Sequence, residues 1–432
     1  MTFCAAFAPV TVRPDRLPTE GRIMPEPPPK PPLKPAAWTT RRVPGRPFDP
    51  PPDRARLIAT APISKVTLWN GTTAWLVTRY ADQVALLRDK RISADDTHPS
   101  YPAVSAAEDA TRDHNRTFIS MDDPDHAAAR RKFMGEFSVR RVAGLRPRIE
   151  QIVTELLDLM EDAGPPADLV SAFAMAVPVR VICELLGVPY ADRGFFQEAN
   201  AVVVDTRSTP QAALDASCAL TAYLGELVEK KLRAPEDDLL SRLAVEHLAT
   251  GRTTREECAR EARLLLAAGQ ETTTAMIALG VCALLQHPDQ LALVRGCGPH
   301  QVATAVEELL RYLSVTHMGR RRVAVADIGL HGYVIKAGDP VIFAGDLANR
   351  DPEVYKDPGR LDVRRPVTRR HLTFGHGPHQ CLGQHLARLE LQVAYPALLQ
   401  RFPRLRLDRP LSELSFRTEK FVYGVRDLPV AW

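Results

Sequence analysis

The chain has no paired cysteines. Its seven Cys stand at 4, 183, 218, 258, 282, 297 and 381, with no CxxC among them. An odd, scattered set argues against a disulfide framework and fits a reducing compartment, so a cytoplasmic location is expected. Lysine is also scarce: 10 of the 56 basic residues are Lys and the rest are Arg. With Ala and Pro abundant, that bias reads as a GC-rich coding sequence more than as a binding surface. The formal net charge is only +4, so no nucleic-acid partner is expected from the total. No run of about 18–20 apolar residues is evident, so no membrane span is expected. The first twelve residues are mildly apolar but lack a preceding basic region, so no signal peptide is expected. What is present is ordinary globular material. Apolar residues make up 45% and charged residues 25% of 432 positions, which excludes a wholly disordered chain, a collagen-like fibre and a coiled coil.

Proline is concentrated at one end. Residues 1–52 hold 15 of the 37 prolines, including Pro27-Pro28-Pro29 and Pro50-Pro51-Pro52. Such a stretch lacks amide donors and favours extended conformations, so residues 1–45 are expected to be a flexible extension outside the core. Met24 is an alternative start. Residues 46–432 are then the domain. ISKVTLWNGTTAWLVTRY alternates around Asn70-Gly71 and predicts a hairpin. Residues 81–90 predict a short helix, and 95–120 an irregular functional loop. Helical patterns run almost continuously from 124 to 313. In one, Ile149, Ile152, Val153, Leu156, Leu157 and Met160 share a face that ends at Gly164. Another, CAREARLLLAAGQETTTAMIALGVCALLQHP, is apolar on all sides and stops at Pro288, the signature of a central buried helix. Residues 320–346 return to short strands, 350–380 to coil, and a last helix runs from about 382 to 401.

The strongest local signal is FGHGPHQCLGQHLARLEL, Phe374 to Leu391. Cys381 sits in a glycine-punctuated loop just before a helix. Gly375, Gly377 and Gly383 let the backbone turn sharply and a flat group approach. Amides at a helix start favour an anion and are expected to lower the thiol's pKa. A thiolate so presented suits a metal. His371, His376, His379 and His385 nearby admit zinc, although structural zinc usually takes paired Cys spacings. On spacing alone, a haem iron with one thiolate, a zinc site and a plain buried cysteine all stay open.

Three further patterns accompany the loop. Ala268-Gly269-Gln270-Glu271-Thr272-Thr273 interrupts the long apolar helix with small residues, which open a groove, and with a carboxylate beside a hydroxyl. A polar pair there is costly unless partnered; a helix contact at Ala-Gly with the Thr hydroxyl bonded back is the plain alternative. Glu308-Leu309-Leu310-Arg311 places an acid and a base on one helical face. His126 and Arg130, four apart in DDPDHAAARRKF, can face one anion together or form a solvated basic face.

FGHGPHQCLG resembles the haem-binding signature of the cytochromes P-450, FGxGxHxCxG, at every fixed position from Phe374 to Gly383. AGQET resembles the same family's [AG]Gx[ED]T, ELLR its ExxR, and HAAAR its HxxxR. The resemblance covers about residues 45–432, in the family's order, and its style is that of the soluble actinobacterial branch. It implies a mainly α, multihelical fold with a minor β-sheet region and a single catalytic domain. It implies haem b (iron protoporphyrin IX), with Cys381 as the axial iron ligand, Phe374 near the sulfur, and His126, Arg130, Arg322 and His379 toward the propionates. Arg320, Arg321 and Arg322 are adjacent, so the propionate residue rests on register. Glu271 and Thr272 would relay protons to bound dioxygen, while Glu308 and Arg311 would be structural. The implied activity is a monooxygenase reaction, hydroxylation or epoxidation of a hydrophobic natural product of polyketide or terpenoid type. NAD(P)H would supply electrons through a ferredoxin reductase and a ferredoxin, and the enzyme would be a monomer. Arg130, Arg131, Lys132, Arg140, Arg141 and Arg388 are candidate cations for that acidic partner. Pocket walls are expected at 95–120, 190–210, Leu264, Ala267-Ala268, Val315 to Met318 and Glu419 to Val422. A nitric oxide reductase of the same fold resembles MIALGVCALLQHPDQLA but lacks the acid at the Glu271 position, so the Glu-Thr pair favours oxygenation. A non-enzymatic haem or zinc protein is the remaining alternative.

Overall fold

A computed structural model describes residues 33–366 and 371–432; the Pro27-Pro28-Pro29 run and Met24 lie outside them. The main helices are α1 (Ala106–Asn115), α2 (Asp125–Met134), α3 (Arg146–Ala163), α4 (Ala176–Leu186), α5 (Arg193–Val203), α6 (Pro210–Arg233), α7 (Arg255–Gln286), α8 (Pro299–Leu313) and α9 (Gln384–Arg401). A six-stranded sheet stands beside them, built from β1 (Ala36–Ala37), β2 (Ile63–Thr67), β3 (Thr73–Val77), β4 (Ile92–Ser93), β5 (Arg320–Ala324) and β6 (Pro340–Phe343) in the spatial order β1-β2-β3-β6-β5-β4. The chain is mainly helical with a small mixed sheet, as the sequence predicts.

Helix α7 is the axis of the domain. Thr254 and Glu257 close a reciprocal capping box at its start, and Pro288, at the first turn of the next helix, marks the stop. Every residue from Thr273 to Leu284 is buried, so neighbours surround this half of the helix. Helices α3, α4, α6, α8 and α9 contribute to the same core. Gly280 admits the closest of these neighbours. A Cβ there would lie 2.0 Å from Tyr395 Oη, which donates to the carbonyl of Met276 at 2.5 Å. By hydropathy and length α7 could also cross a membrane, which the expectation from apolar runs overlooked because Thr and Gln interrupt it. In this fold 67% of its most apolar stretch is enclosed by protein.

Two expectations need correction. Residues 95–120 are not wholly irregular: α1 lies within them. Ser105 accepts from the Glu108 amide, and acidic residues lead while Arg112 and His114 close the helix. Only Ala107 and Thr111 are buried on it, so apolar periodicity could not reveal it, whereas Ser105-x-x-Glu108 was a start signal. The end of the Pro-rich extension is also packed. Ala36 and Ala37 pair in parallel with Val66 and Thr67, and the buried Arg42 lays its guanidinium 3.7 Å above the Tyr423 ring. Two alanines after Pro35 suffice for sheet-edge pairing, too short a pattern to read.

The coil after residue 349 is held by ionic and carbonyl bonds in place of secondary structure. Arg311 grips Glu308 through both ends of its fork, at 2.7 and 2.8 Å, and donates to the carbonyls of Asn349 and Pro358. Arg365 Nε reaches both Glu308 oxygens at 3.1 Å. Glu308 and Arg311 are only 3% and 2% exposed, so neither can turn to water. Removing one member of such a pair strands a buried charge. Glu308→Ala is expected to lower unfolding free energy by roughly 3–5 kcal/mol. Denaturant titration checks this, and a wild-type midpoint would contradict it.

Candidate functional site

Strand β5 reaches the start of the cysteine loop through a side chain, that of Arg320. Arg320 pairs with Phe343 and Arg322 with Val341 across β6. Strand alternation puts Arg320 and Arg322 on one face and Arg321 on the other. Arg321 is satisfied there by an ion pair with Glu108 of α1 and lies over the rings of Tyr101 and Phe421. Arg320 donates to the carbonyl of Thr373 at 2.7 Å, and Arg322 to that of Arg321 at 2.7 Å.

From Thr373 the chain enters the loop. The Cys381 amide donates to the Phe374 carbonyl at 2.8 Å, closing it. Gly375 and Gly377 adopt φ of +75° and +74°, the left-handed region that favours glycine. At Gly377 a Cβ would also meet the Leu87 carbonyl oxygen at 2.4 Å. Gly383 then caps the start of α9. The Phe374 ring lies under the Arg388 guanidinium, 4.4 Å away, and Arg388 is held by Glu307 at 2.6 and 3.0 Å.

Cys381 is deep in the protein, yet its side chain is exposed, so it forms part of a cleft floor. The expectation of a lowered thiol pKa is not met. Burial raises it, and the Gly383 amide, Arg320, Arg130 and Arg388 oppose the rise. The helix start and the cations do act on the thiol as expected; desolvation outweighs them.

Cations gather around this thiol. Arg130 of α2 donates to the Gln380 carbonyl at 2.6 Å. His126, one turn earlier, is buried, stacks on His379 with ring centroids 4.0 Å apart, and keeps Nε2 without a partner. Burial pushes His379 down to about 3, with Arg322, His126 and Arg130 adding to the effect. Burial also pushes Arg320 down to about 10, with Arg322 adding and Cys381 opposing. Arg130 and Arg322 are lowered mainly by burial as well. Among the described residues, Arg130, Arg320 and Arg322 make no ion pair with a carboxylate, although Asp122 acts on Arg322 from farther off; each donates to a backbone carbonyl.

The interruption in α7 is partnered. Glu271 accepts from Asn200 of α5 and from Arg417, both at 3.4 Å. Thr272 donates to the Ala268 carbonyl at 3.0 Å. Ala268 is exposed although it lies in the interior helix. Gly269 does not widen that opening, because it packs on α4, where a Cβ would come 2.8 Å from Ile182.

The structure brings His126, Arg130, Arg322, Phe374, Gly375, His379, Cys381 and Gly383 together around the loop. Glu271 and Thr272 lie on α7, and Glu308 and Arg311 lie in the coil network. Sequence reasoning named Arg320 only as a register alternative to Arg322, placed Asn200 only within an expected pocket wall, and gave no role to Arg417. Arg320 was visible through the period-two rule in Arg320-Arg321-Arg322. Asn200 and Arg417 reach Glu271 from 71 and 146 positions away, with no local signal. Arg388 is not a free docking cation, because Glu307 holds it. The zinc alternative finds no support: among the described residues no three His, Cys, Asp or Glu side chains gather as a metal-holding group.

The family model described as Cytochrome P450 matches residues 302–420. Cytochrome P450 GfsF of Streptomyces halstedii is 46% identical over 397 residues, covering 91% of this chain and 96% of the relative. Its crystal structure superposes with a TM-score of 0.85, covering 93% of this chain and 100% of that one. The Vitamin D3 dihydroxylase of Streptomyces griseolus is 46% identical, covering 89% of this chain and 95% of the relative. The mycinamicin VIII C21 methyl hydroxylase MycCI of Micromonospora griseorubida, solved with mycinamicin VIII bound, is 38% identical with a TM-score of 0.84, covering 92% and 100% of the two chains. Helix order, cysteine loop and similarity along nine-tenths of its length agree: the chain belongs to the cytochrome P450 family, the haem-binding oxidoreductases that draw NAD(P)H electrons through partner proteins.

Proposed function

We propose that the chain is a haem-thiolate monooxygenase in which Cys381 ligates the iron of haem b. The observation that carries this reading is the donor set. Arg130, Arg320 and Arg388 act on one cleft-facing thiol, and Arg130, Arg320 and Arg322 make no ion pair with a carboxylate, while haem b brings an iron that takes one thiolate and two carboxylates that take cations. His126, Arg130 and Arg322 would hold those carboxylates. His379 would sit beside them, Gly375 and Gly383 would let the ring approach, and Phe374 would cover the sulfur. When bound, the haem supplies the redox iron, and thiolate donation favours cleavage of the dioxygen bond.

The protein's own part on the other side is proton delivery. The Thr272 hydroxyl can turn from the Ala268 carbonyl and donate into the cleft. Glu271, held by Asn200 and Arg417, lies one residue away to resupply the proton through water. General acid catalysis of this type depends on the donor being held in line.

The substrate in this reading is a hydrophobic natural product of polyketide or terpenoid type, hydroxylated or epoxidised. Support comes from relatives named for vitamin D3 and mycinamicin VIII. The expected pocket walls also approach one another: Thr206 donates to the Glu419 carbonyl, and Phe421 lies over Arg321 with Tyr101 on the same guanidinium. Electrons would come from a ferredoxin and its reductase, in the cytoplasm, to a monomeric enzyme. Arg131 and Arg140 remain exposed as docking cations.

With labelled dioxygen, NAD(P)H, ferredoxin and reductase, a turned-over substrate is expected to carry one labelled oxygen atom. NADH-dependent loss of nitric oxide without ferredoxin, and no labelled product, would overturn the reading. Thr272→Ala is expected to lower product formed per NAD(P)H several-fold and raise peroxide release, while reduction continues. Unchanged coupling would contradict the relay role.

A further inference from the structure

We propose that Arg320 is a positioning residue for the cofactor, one whose positive charge at the site raises the iron's reduction potential. This rests on the haem-thiolate reading above. The family resemblance aligns its one propionate arginine on this strand with Arg322. Arg320 lies two residues earlier, on the same face, and its guanidinium is locked rather than mobile. A Cβ on Gly345 would lie 2.9 Å from Nη1, and one on Gly375 would lie 2.9 Å from Nε. Nη2 donates to the Thr373 carbonyl. The next residue, Phe374, offers the carbonyl that accepts the Cys381 amide. The cation is therefore tied to the same short segment that sets the sulfur's position.

The local charge then assigns it a purpose. A desolvated guanidinium without a carboxylate is costly to keep. Arg321, on the other face, has Glu108; Arg320 has the Thr373 carbonyl. Arg130, Arg320 and Arg322 bring positive charge to a site where the Cys381 thiolate and two haem carboxylates bring negative charge, and Asp122 already acts on Arg322. Loss of the Arg320 cation makes the surroundings of the iron more negative, which disfavours adding an electron to it. Hydrogen bonding and charge near a haem ligand are established levers on its potential.

The test uses holoenzyme variants Arg320→Gln and Arg320→Lys. Each is followed by spectroelectrochemical titration and by haem transfer to apomyoglobin. In Arg320→Gln the Fe(II)/Fe(III) ratio at a fixed potential should fall about tenfold, a shift of about 59 mV for one electron, and haem should leave several-fold faster. Arg320→Lys keeps the charge but loses the planar fork. It should retain a near-wild-type potential and still release haem faster, and it serves if the Gln variant does not fold. A Gln variant with wild-type potential and haem transfer overturns the proposal, as does a Lys variant shifted as far as Gln or one that matches wild type in haem transfer. Failure of the underlying reading looks different: the wild type itself would show no thiolate-type spectrum with carbon monoxide.

Discussion

Desolvated positive charge near Cys381 is the constraint around which the rest of the structure is arranged. A thiol in such a place would rather stay protonated, since burial raises its pKa. Arg130, Arg320 and Arg388 and the Gly383 amide pull the other way. The guanidinium groups are themselves destabilised by the same burial. Thiol and cations are each unfavourable alone, and each becomes tolerable once anions and a metal are supplied together. This explains why a site so costly in the polypeptide by itself suits a cofactor that carries both carboxylates and a thiolate-seeking iron.

The scaffold supplies what the charges cannot, which is position. The sheet aims Arg320 and Arg322 by strand alternation. The Glu308–Arg311–Arg365 cluster fixes a coil that has few ladder bonds of its own. Glu307 links α8 to Arg388 and so to the Phe374 ring. Burial alone would raise Glu307, but the close approach of His371 and the hydrogen bonds from Arg388 take it down to about 2, so it stays ionised there. On the far side, α7 brings Glu271 and Thr272 into an otherwise enclosed helix, and Asn200 and Arg417 tie that acid to two other parts of the chain.

Much of this was legible because it is local. The face Ile149 to Met160, the stop before Pro288, the turn at Asn70-Gly71 and the cysteine loop each follow from spacing over fewer than about twenty residues. What sequence did not disclose has a common physical cause: it depends on distant partners or on weak amphipathicity. Glu271's partners lie in separate elements. Helix α1 buries two small residues, so only its cap announced it. Gly269 serves a helix contact with Ile182, whereas the sequence alone made it part of a groove. The thiol's pKa was misjudged because a sequence shows the neighbouring amides but not the depth of burial.

The central claim is that Cys381 presents a thiolate to a haem iron within this set of cations. The most direct measurement is the difference spectrum of dithionite-reduced protein before and after carbon monoxide, in the wild type and in Cys381→Ala. The account predicts a thiolate-shifted Soret band in the wild type and none in the variant. An unshifted band in the wild type, or a shifted band that survives in Cys381→Ala, would contradict it.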